Sequence, residues 1–199
     1  MTVGILAYGS LIEDPGAEIE SLINDRISNV KTPFSIEFSR TSSTRGCAPT
    51  LVPVKTGGKC VEATILVLSD TTTQALAEDL LWRRETRNEL SDKHYKKTQG
   101  NNLNKVVVES IPNFNGLDAA LYTSIGANIK NPSASELAKL AIKSAQCDTV
   151  PEGKDGISYL ISVKRQKIVT PLMGDYENEI LSQLGVYSLE EALSYCRQQ

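Results

Sequence analysis

A short apolar run near the N-terminus, from Gly4 to Leu11, breaks into the tripeptide Tyr-Gly-Ser. A strand that ends in a glycine and then a small hydroxyl residue can turn sharply. Such a turn leaves backbone N–H groups pointing outward with no Cβ in the way, and it can hold an anion. An ordinary buried strand followed by a loop explains the same residues, so this stretch alone leaves both interpretations open.

The sequence Tyr8-Gly9-Ser10-Leu11, placed directly after an apolar strand, resembles the signature of the γ-glutamylcyclotransferase-like superfamily. The resemblance implies that a γ-glutamyl group binds at this turn. Backbone N–H groups around Gly9, Ser10 and Leu11, together with the Ser10 hydroxyl, would hold the substrate's α-carboxylate or the developing oxyanion. Tyr8 would line the pocket.

In that superfamily, a glutamate at the end of the helix that follows the longest strand acts as the general base or acid. The matching segment runs from Leu80 to Arg87, and the resemblance implies Glu85 as the catalytic carboxylate. The implied reaction releases 5-oxoproline from a γ-glutamyl amine, amino acid or peptide. The substrate's α-amine loses a proton and attacks its own γ-carbonyl, and the departing amine gains a proton. Because this ring closure is intramolecular, we expect no metal, cofactor or covalent intermediate.

Tyr122 also matches the superfamily, because an aromatic hydroxyl there precedes a Pro-Ser pair at similar spacing, which in this chain is Pro132-Ser133. The resemblance implies a hydrogen bond from Tyr122 to the glutamyl end of the substrate. Tyr122 alternates with apolar neighbours, so a core aromatic residue with a satisfied hydroxyl is an equally open interpretation.

The residues around Glu85 depart from the family pattern. Arg83 and Arg84 precede it, and the segment from Thr86 to Glu89 follows where family members often have glycine or a small apolar residue. A neighbouring arginine holds a carboxylate ionised, which is the wrong direction for an acid and neutral for a base. The same arginines could instead bind an additional carboxylate on the substrate.

Three functions therefore compete. The first is a γ-glutamylcyclotransferase-like enzyme that uses Glu85, although a solvated helix-end carboxylate paired with an arginine also explains that residue. The second keeps the pocket without catalysis, as a binding or regulatory module for a γ-glutamyl-like metabolite, and the Arg-flanked glutamate favours it. The third pairs Cys47 as a nucleophile with His94 as its base, as in thiol hydrolases.

Hydrophobic periodicity predicts the elements that must position these residues. The predicted strands are 2–8, 33–39, 50–54, 60–68, 105–111 and 118–123. The predicted helices are 17–27, one from a cap at Asp70 or Thr71 to about Arg87, one after a capping box of Ser133 and Glu136, 175–184 and 188–196, while 156–163 fits either a strand or a helix. Residues 40–50 are predicted as a loop and 88–104 as a polar stretch.

Early strands and late helices predict an α+β fold with a mixed, barrel-like β-sheet flanked by helices. Three successive strands suggest a sheet that closes on itself. The order β, α, β, β, β, α, β, β, α is similar to the γ-glutamylcyclotransferase fold. We expect a single domain over residues 1–199, with a core at about 3–145 and a C-terminal helical extension over 146–199.

The composition narrows the kinds of partner. Of 199 residues, 40% are hydrophobic and 23% are charged, as in an ordinary globular protein. A net charge of −3 gives no basic footprint, so we expect a small-molecule partner and neither nucleic acid nor membrane. No signal-peptide pattern is present, which predicts a reducing cytoplasm as the location. There the four cysteines would stay free, and their wide spacing beside a single histidine argues against a zinc site.

Overall fold

The structure, a computed structural model, describes residues 1–97 and 102–198. Residues 98–101 of the predicted polar stretch and residue 199 lie outside the described residues. The elements in chain order are β1 (Val3–Ala7), α1 (Ser10–Glu13), α2 (Ala17–Glu20), β2 (Ile23–Lys31), β3 (Ser35–Ser42), a short 3-10 helix (Ser43–Arg45), β4 (Ala48–Val54), β5 (Glu62–Leu68), α3 (Gln74–Thr86), β6 (Val107–Phe114), β7 (Leu117–Ser124), α4 (Ala134–Ala145), α5 (Gly156–Arg165), α6 (Met173–Leu184) and α7 (Leu189–Arg197).

These elements belong to two compact units, each formed from two stretches of the chain. The first unit comprises Met1–Thr32 and Glu62–Gly126, and the second comprises Pro33–Val61 and Ala127–Gln199. Every residue of the predicted γ-glutamyl site lies in the first unit.

A five-stranded mixed sheet in the order β2-β5-β1-β7-β6 forms the first unit. β1 pairs antiparallel with β5 and parallel with β7. The predicted α+β class with a mixed sheet and packed helices is therefore confirmed. Within the described ranges β2 and β6 are edge strands, and no closed barrel is detected.

All five residues of β1 are buried, which explains its continuous apolar sequence. Ile5 and Ala7 belong to one core cluster with Leu11 of α1 and with Ala77 and Leu81 of α3. Helix α3 therefore covers the face of the sheet beside the Tyr-Gly-Ser turn.

The predicted helix over 17–27 is wrong after its first turn. Helix α2 ends at Glu20, and the chain continues as strand β2, which pairs antiparallel with β5. Ile23, Ile27 and Val30 have the spacing of a helix face, but β2 contains two irregularities in its pairing with β5 between these residues. Each irregularity adds one residue to β2 and reverses its alternation. Ile27 and Val30 therefore pair with Ile65 and Ala63 on one face, whereas Ile23 pairs with Leu68 on the other.

Helix α3 follows β5 as the sequence predicts, but its cap lies two residues beyond the predicted Thr71. The Thr73 hydroxyl accepts a hydrogen bond from the Leu76 N–H at 3.2 Å, and the helix ends at Thr86, followed by Arg87 in the left-handed conformation. Ala77 and Leu81 are fully buried on one face. Glu85 lies one turn further along that face.

Replacement of Leu81 by alanine is expected to lower the free energy of unfolding by about 2–5 kcal/mol, because it leaves a cavity in the core cluster. Urea denaturation measures the change. Leu76→Ala is the matched control on the same helix, because Leu76 is 41% exposed and should cost much less. Equal losses in the two variants would contradict the orientation of α3.

Strands β6 and β7 form a hairpin whose register places Glu109 opposite Tyr122. The first of the two predicted strands ended at residue 111, but the pairing continues to Phe114 and Leu117. The turn itself is Asn115-Gly116, and both residues have positive φ, as a tight two-residue hairpin requires.

The second unit combines the β3–β4 pair with α4–α7. Residues 40–42 and 48–50, predicted as one loop, pair with each other at the end of this hairpin. The helices predicted after Ser133, over 175–184 and over 188–196 are confirmed within two residues at each end, and 156–163 is helical. Helix α4 packs against α5, α6 and β4, so the residues after 145 pack with the elements before them.

Candidate functional site

The turn after β1 has a backbone conformation that selects glycine. Gly9 precedes the four-residue helix α1 with φ 64° and ψ −138°, a region that is essentially restricted to glycine. Its carbonyl accepts a hydrogen bond from the Ile12 N–H at 3.2 Å. Gly9 is buried, so the sharp bend lies against the core of the first unit.

The side chains on either side of Gly9 differ in their contacts. The Tyr8 hydroxyl donates to the Thr123 carbonyl at 3.2 Å and joins the ends of β1 and β7. The half-buried Ser10 hydroxyl makes no hydrogen bond within residues 1–97 and 102–198. Ser10 is therefore available to a ligand, whereas Tyr8 helps to hold the strand ends together.

Tyr122 lies near the end of β7, at the same edge of the sheet as the turn, because β1 and β7 are parallel neighbours. Leu121 belongs to the core cluster under α3, so the alternation of the strand directs Tyr122 to the opposite face. Burial raises the pKa of Tyr122, and the nearby Glu109 carboxylate raises it further. The phenol is therefore neutral near pH 7, and its predicted contact with substrate remains a prediction.

Glu85 lies at the last turn of α3, four residues after the fully buried Leu81. Its side chain is 25% exposed. One carboxylate oxygen, Oε1, accepts a hydrogen bond from Arg84 Nη1 at 2.5 Å. The other, Oε2, has no hydrogen-bond partner among the residues that the structure describes.

The guanidinium of Arg84 connects Glu85 to the segment that follows the turn. Arg84 Nε donates to the Asp14 carbonyl at 3.1 Å, and Nη2 donates to the same oxygen. The Asp14 N–H in turn donates to the Ser10 carbonyl at 2.9 Å. A continuous hydrogen-bonded path thus runs from Ser10 through Asp14 and Arg84 to Glu85. Both predicted halves of the site therefore belong to one local network.

Arg83, the other arginine before Glu85, has a structural partner. Its guanidinium donates to both oxygens of Glu18, at 2.7 and 3.3 Å, and to the Lys93 carbonyl at 3.2 Å. Glu18 also accepts from the Leu90 N–H at 3.0 Å. This buried pair fixes α2 and the segment after α3, so Arg83 is committed to protein contacts rather than to a substrate carboxylate.

The Glu18–Arg83 pair should make stability depend on pH. The hydrogen bond from Arg83 lowers the pKa of Glu18 in the folded chain, against the opposing effect of burial. Its stabilisation is therefore full above the unfolded value of about 4.3 and is lost as the pH falls through the folded pKa. Urea denaturation should show a smaller loss of stability below about pH 4.3 in Glu18→Gln than in the parent protein.

The matched control for that titration is Glu20→Gln on the same short helix. Glu20 pairs with Arg26 at 2.7 Å, but its side chain is 57% exposed. Exposed pairs contribute little to stability, so the parent pH profile should be retained. An unchanged profile in Glu18→Gln would contradict the assigned pairing.

His94 has a specific partner that sequence spacing does not reveal. Its Nδ1 lies 2.6 Å from Asp79 Oδ2, and the Tyr95 N–H donates to Asp79 Oδ1 at 2.6 Å. Burial raises the pKa of Asp79, but these two hydrogen bonds outweigh burial and lower it overall. Cys47, the predicted nucleophile for a His94 base, belongs to the second unit, so the thiol-hydrolase hypothesis gains no support within either unit.

The described residues contain neither a cluster of metal ligands nor a membrane-spanning helix. In residues 1–97 and 102–198, no group of three or more His, Cys, Asp or Glu side chains is placed to hold a metal ion. Nor does any described helix have both the length and the apolar character needed to cross a bilayer.

No protein-family model matches the chain, and no curated protein matches its sequence. Function is therefore inferred from the residues of the turn and from the network that connects the turn to Glu85.

Proposed function

We propose that this protein is a γ-glutamylcyclotransferase-like enzyme that releases 5-oxoproline from a γ-glutamyl amine, amino acid or peptide. The observation that carries the proposal is the hydrogen-bonded path from Ser10 through Asp14 and Arg84 to Glu85. The path connects the Gly9 turn, where the Ser10 hydroxyl is available, to the half-buried Glu85, whose Oε2 is uncommitted. This combination is what ring closure of a γ-glutamyl group requires.

In the proposed reaction, Glu85 Oε2 accepts a proton from the substrate's α-ammonium group. The freed amine attacks the γ-carbonyl carbon, and a five-membered ring forms. When the tetrahedral intermediate collapses, the bond from the γ-carbon to the departing nitrogen breaks, and Glu85 returns its proton to that nitrogen. The ring nitrogen then loses its second extra proton, and the departing amine takes up that proton and leaves as an ammonium ion. The products are 5-oxoproline and a free amine, and the enzyme is unchanged.

The turn supplies the complementary half of the mechanism. The first N–H groups of α1 have no acceptor within that helix, and Gly9 provides no side-chain cap. With the Ser10 hydroxyl, they can hold the substrate's α-carboxylate or the oxyanion that develops on the γ-carbonyl oxygen. Holding the amine close to the carbonyl supplies the high effective molarity on which the reaction depends.

We extend the proposal to a barrel-like fold and to a cytoplasmic location. A barrel-like γ-glutamylcyclotransferase fold is supported by the mixed strand order with β1 at its centre and by the helix whose last turn carries Glu85. A small γ-glutamyl compound is the proposed partner. Tyr122 lies at the same edge of the sheet but on the face opposite α3, so its proposed contact with the substrate rests on the family resemblance alone. A cytoplasmic location is supported by the four cysteines, all of which are free thiols.

A binding or regulatory module for a γ-glutamyl-like metabolite is the second candidate. The ion pair of Arg84 with Glu85 favours it, because one carboxylate oxygen is already committed to the guanidinium. The same turn would then hold a ligand's carboxylate without turnover.

Incubation with γ-glutamyl amino acids, γ-glutamyl amines and glutathione, followed by mass-spectrometric quantification, separates these functions. The enzyme should release 5-oxoproline and free amine in equal amounts. A hydrolase would release glutamate instead, and a binding module would shift the melting temperature with no product. Either of these last two results would contradict the proposed reaction.

A further inference from the structure

Arg84 holds its guanidinium between two acceptors in the first unit. Two of its nitrogens donate to the Asp14 main-chain carbonyl, and the third donates to Glu85 Oε1. Its side chain is only 14% exposed. The fork of an arginine matches this double role, since its donors are fixed in one plane.

Arg84 gives the two carboxylate oxygens of Glu85 different hydrogen-bonding environments. Arg84 occupies Oε1, whereas Oε2 has no hydrogen-bond partner in the described part of the chain. The carboxylate is therefore restrained in rotation, with one oxygen committed to the protein and the other left to accept a proton. A general base must lie within hydrogen-bond reach of the proton that it removes, so this restraint bears directly on the rate.

We infer that Arg84 is a positioning residue for the ring-closure reaction and that it acts through Glu85. The inference rests on the proposed function, because it assigns a role within the same site. The Asp14 carbonyl fixes the guanidinium, the guanidinium fixes Oε1, and Oε2 is thereby aimed at the substrate's α-amine. Glu85 remains the group that exchanges the proton, and Arg84 contacts no reacting atom.

A structural explanation of Arg84 makes a different prediction. If the guanidinium only ties α3 to the segment after α1, then its loss should lower stability and affect activity equally whether or not Glu85 is present. If Arg84 acts through Glu85, its effect on turnover should vanish once the carboxylate is removed. A double-mutant cycle distinguishes the two, because coupled residues give non-additive effects.

The experiment measures kcat and KM for 5-oxoproline release by four full-length proteins: the parent, Arg84→Ala, Glu85→Gln and the double variant. In the parent background, Arg84→Ala should lower kcat roughly 30- to 100-fold, because misplacement of a base by about 1 Å can cost that much, while KM changes less than about threefold. In the Glu85→Gln background, the same change should alter the residual rate less than about twofold.

Arg83→Ala is the matched control, because Arg83 is adjacent but pairs with Glu18 rather than Glu85. It should lower the melting temperature and leave kcat near the parent value at 25 °C. Arg84→Gln keeps a donor for the Asp14 carbonyl, so it provides a folded variant if Arg84→Ala does not fold. Added methylguanidinium should restore part of the kcat of Arg84→Ala.

Each outcome has a distinct meaning. Activity of the parent protein with unchanged kcat in both Arg84 variants overturns the positioning role and leaves the proposed function standing. Equal losses from Arg84→Ala with and without Glu85 also overturn it, in favour of a structural role. Absence of 5-oxoproline from the parent protein overturns the proposed function and, with it, the role of Arg84.

Discussion

Glu85→Gln is expected to reduce the rate of 5-oxoproline release by about 10²- to 10⁴-fold, the usual contribution of a positioned proton-transfer group. Glutamine is nearly isosteric with glutamate and can accept a hydrogen bond from Arg84, but it cannot take a proton from the α-ammonium group. Glu85 is 25% exposed and has one protein partner, so the substitution should change stability little. The measurement compares kcat with the melting temperature.

The matched control is Glu89→Gln, which removes an exposed carboxylate four residues along the chain. It should retain the parent kcat. If Glu85→Gln kept more than about a tenth of the parent rate, proton transfer by this carboxylate would be contradicted. Equal losses in both variants would point to a general effect of charge near α3.

Gly9→Ala is expected to have the second large effect. At φ 64° and ψ −138°, an alanine Cβ introduces backbone strain of about 1–3 kcal/mol, so the free energy of unfolding should fall by that amount. Because the chain can relieve the strain only by opening the turn, the N–H groups and the Ser10 hydroxyl should leave their positions. We expect turnover to fall at least about tenfold with a higher KM.

Gly116→Ala is the matched control, because it introduces backbone strain at a site away from the turn after β1. Gly116 has φ 80° at the tip of the β6–β7 hairpin, and no atom lies within 4 Å of the place that an alanine methyl group would take, so alanine there strains the backbone without a clash. It should cost comparable stability and leave kcat and KM unchanged. Loss of activity in Gly116→Ala matching that in Gly9→Ala would show that the turn after β1 has no special role.

Local chemistry in the sequence predicted several elements well. Ser133 and Ser188 accept hydrogen bonds from the N–H groups three residues later, as their capping patterns indicate. Both caps are decided within one turn of chain, so short-range rules suffice. The long strand β5 and helix α3 were predictable from local runs of apolar residues, which supply the buried positions of each element.

Strand β2 shows where the periodicity fails. Ile23, Ile27 and Val30 have helical spacing, yet they lie in a strand that pairs irregularly with β5, which places Ile23 on one face and Ile27 and Val30 on the other. The stabilisation that β2 gains by pairing with β5 depends on residues some forty positions away, so a rule based on neighbouring residues does not predict it. Tyr122 shows the same limit, because its face of the sheet follows from the register of β7 with β1 and β6.

The candidate site was predictable in part. Glycine at position 9 already indicated a sharp turn, because few other residues tolerate such backbone angles. The contacts of Arg84 were not predictable from the sequence. Its main partner is the main-chain carbonyl of Asp14, and every residue has such a carbonyl, so the residue types do not identify the acceptor. The sequence grouped Arg83 with Arg84, whereas the structure gives Arg83 to Glu18 and Arg84 to Glu85.

A crystal structure of the protein with bound 5-oxoproline tests the central claim most directly. We expect the ring nitrogen to lie within hydrogen-bond distance of Glu85 Oε2 and the carboxylate of the product to bind the N–H groups of Gly9 to Leu11 and the Ser10 hydroxyl. Product bound elsewhere, or at the turn with its ring nitrogen directed away from Glu85, would contradict the account.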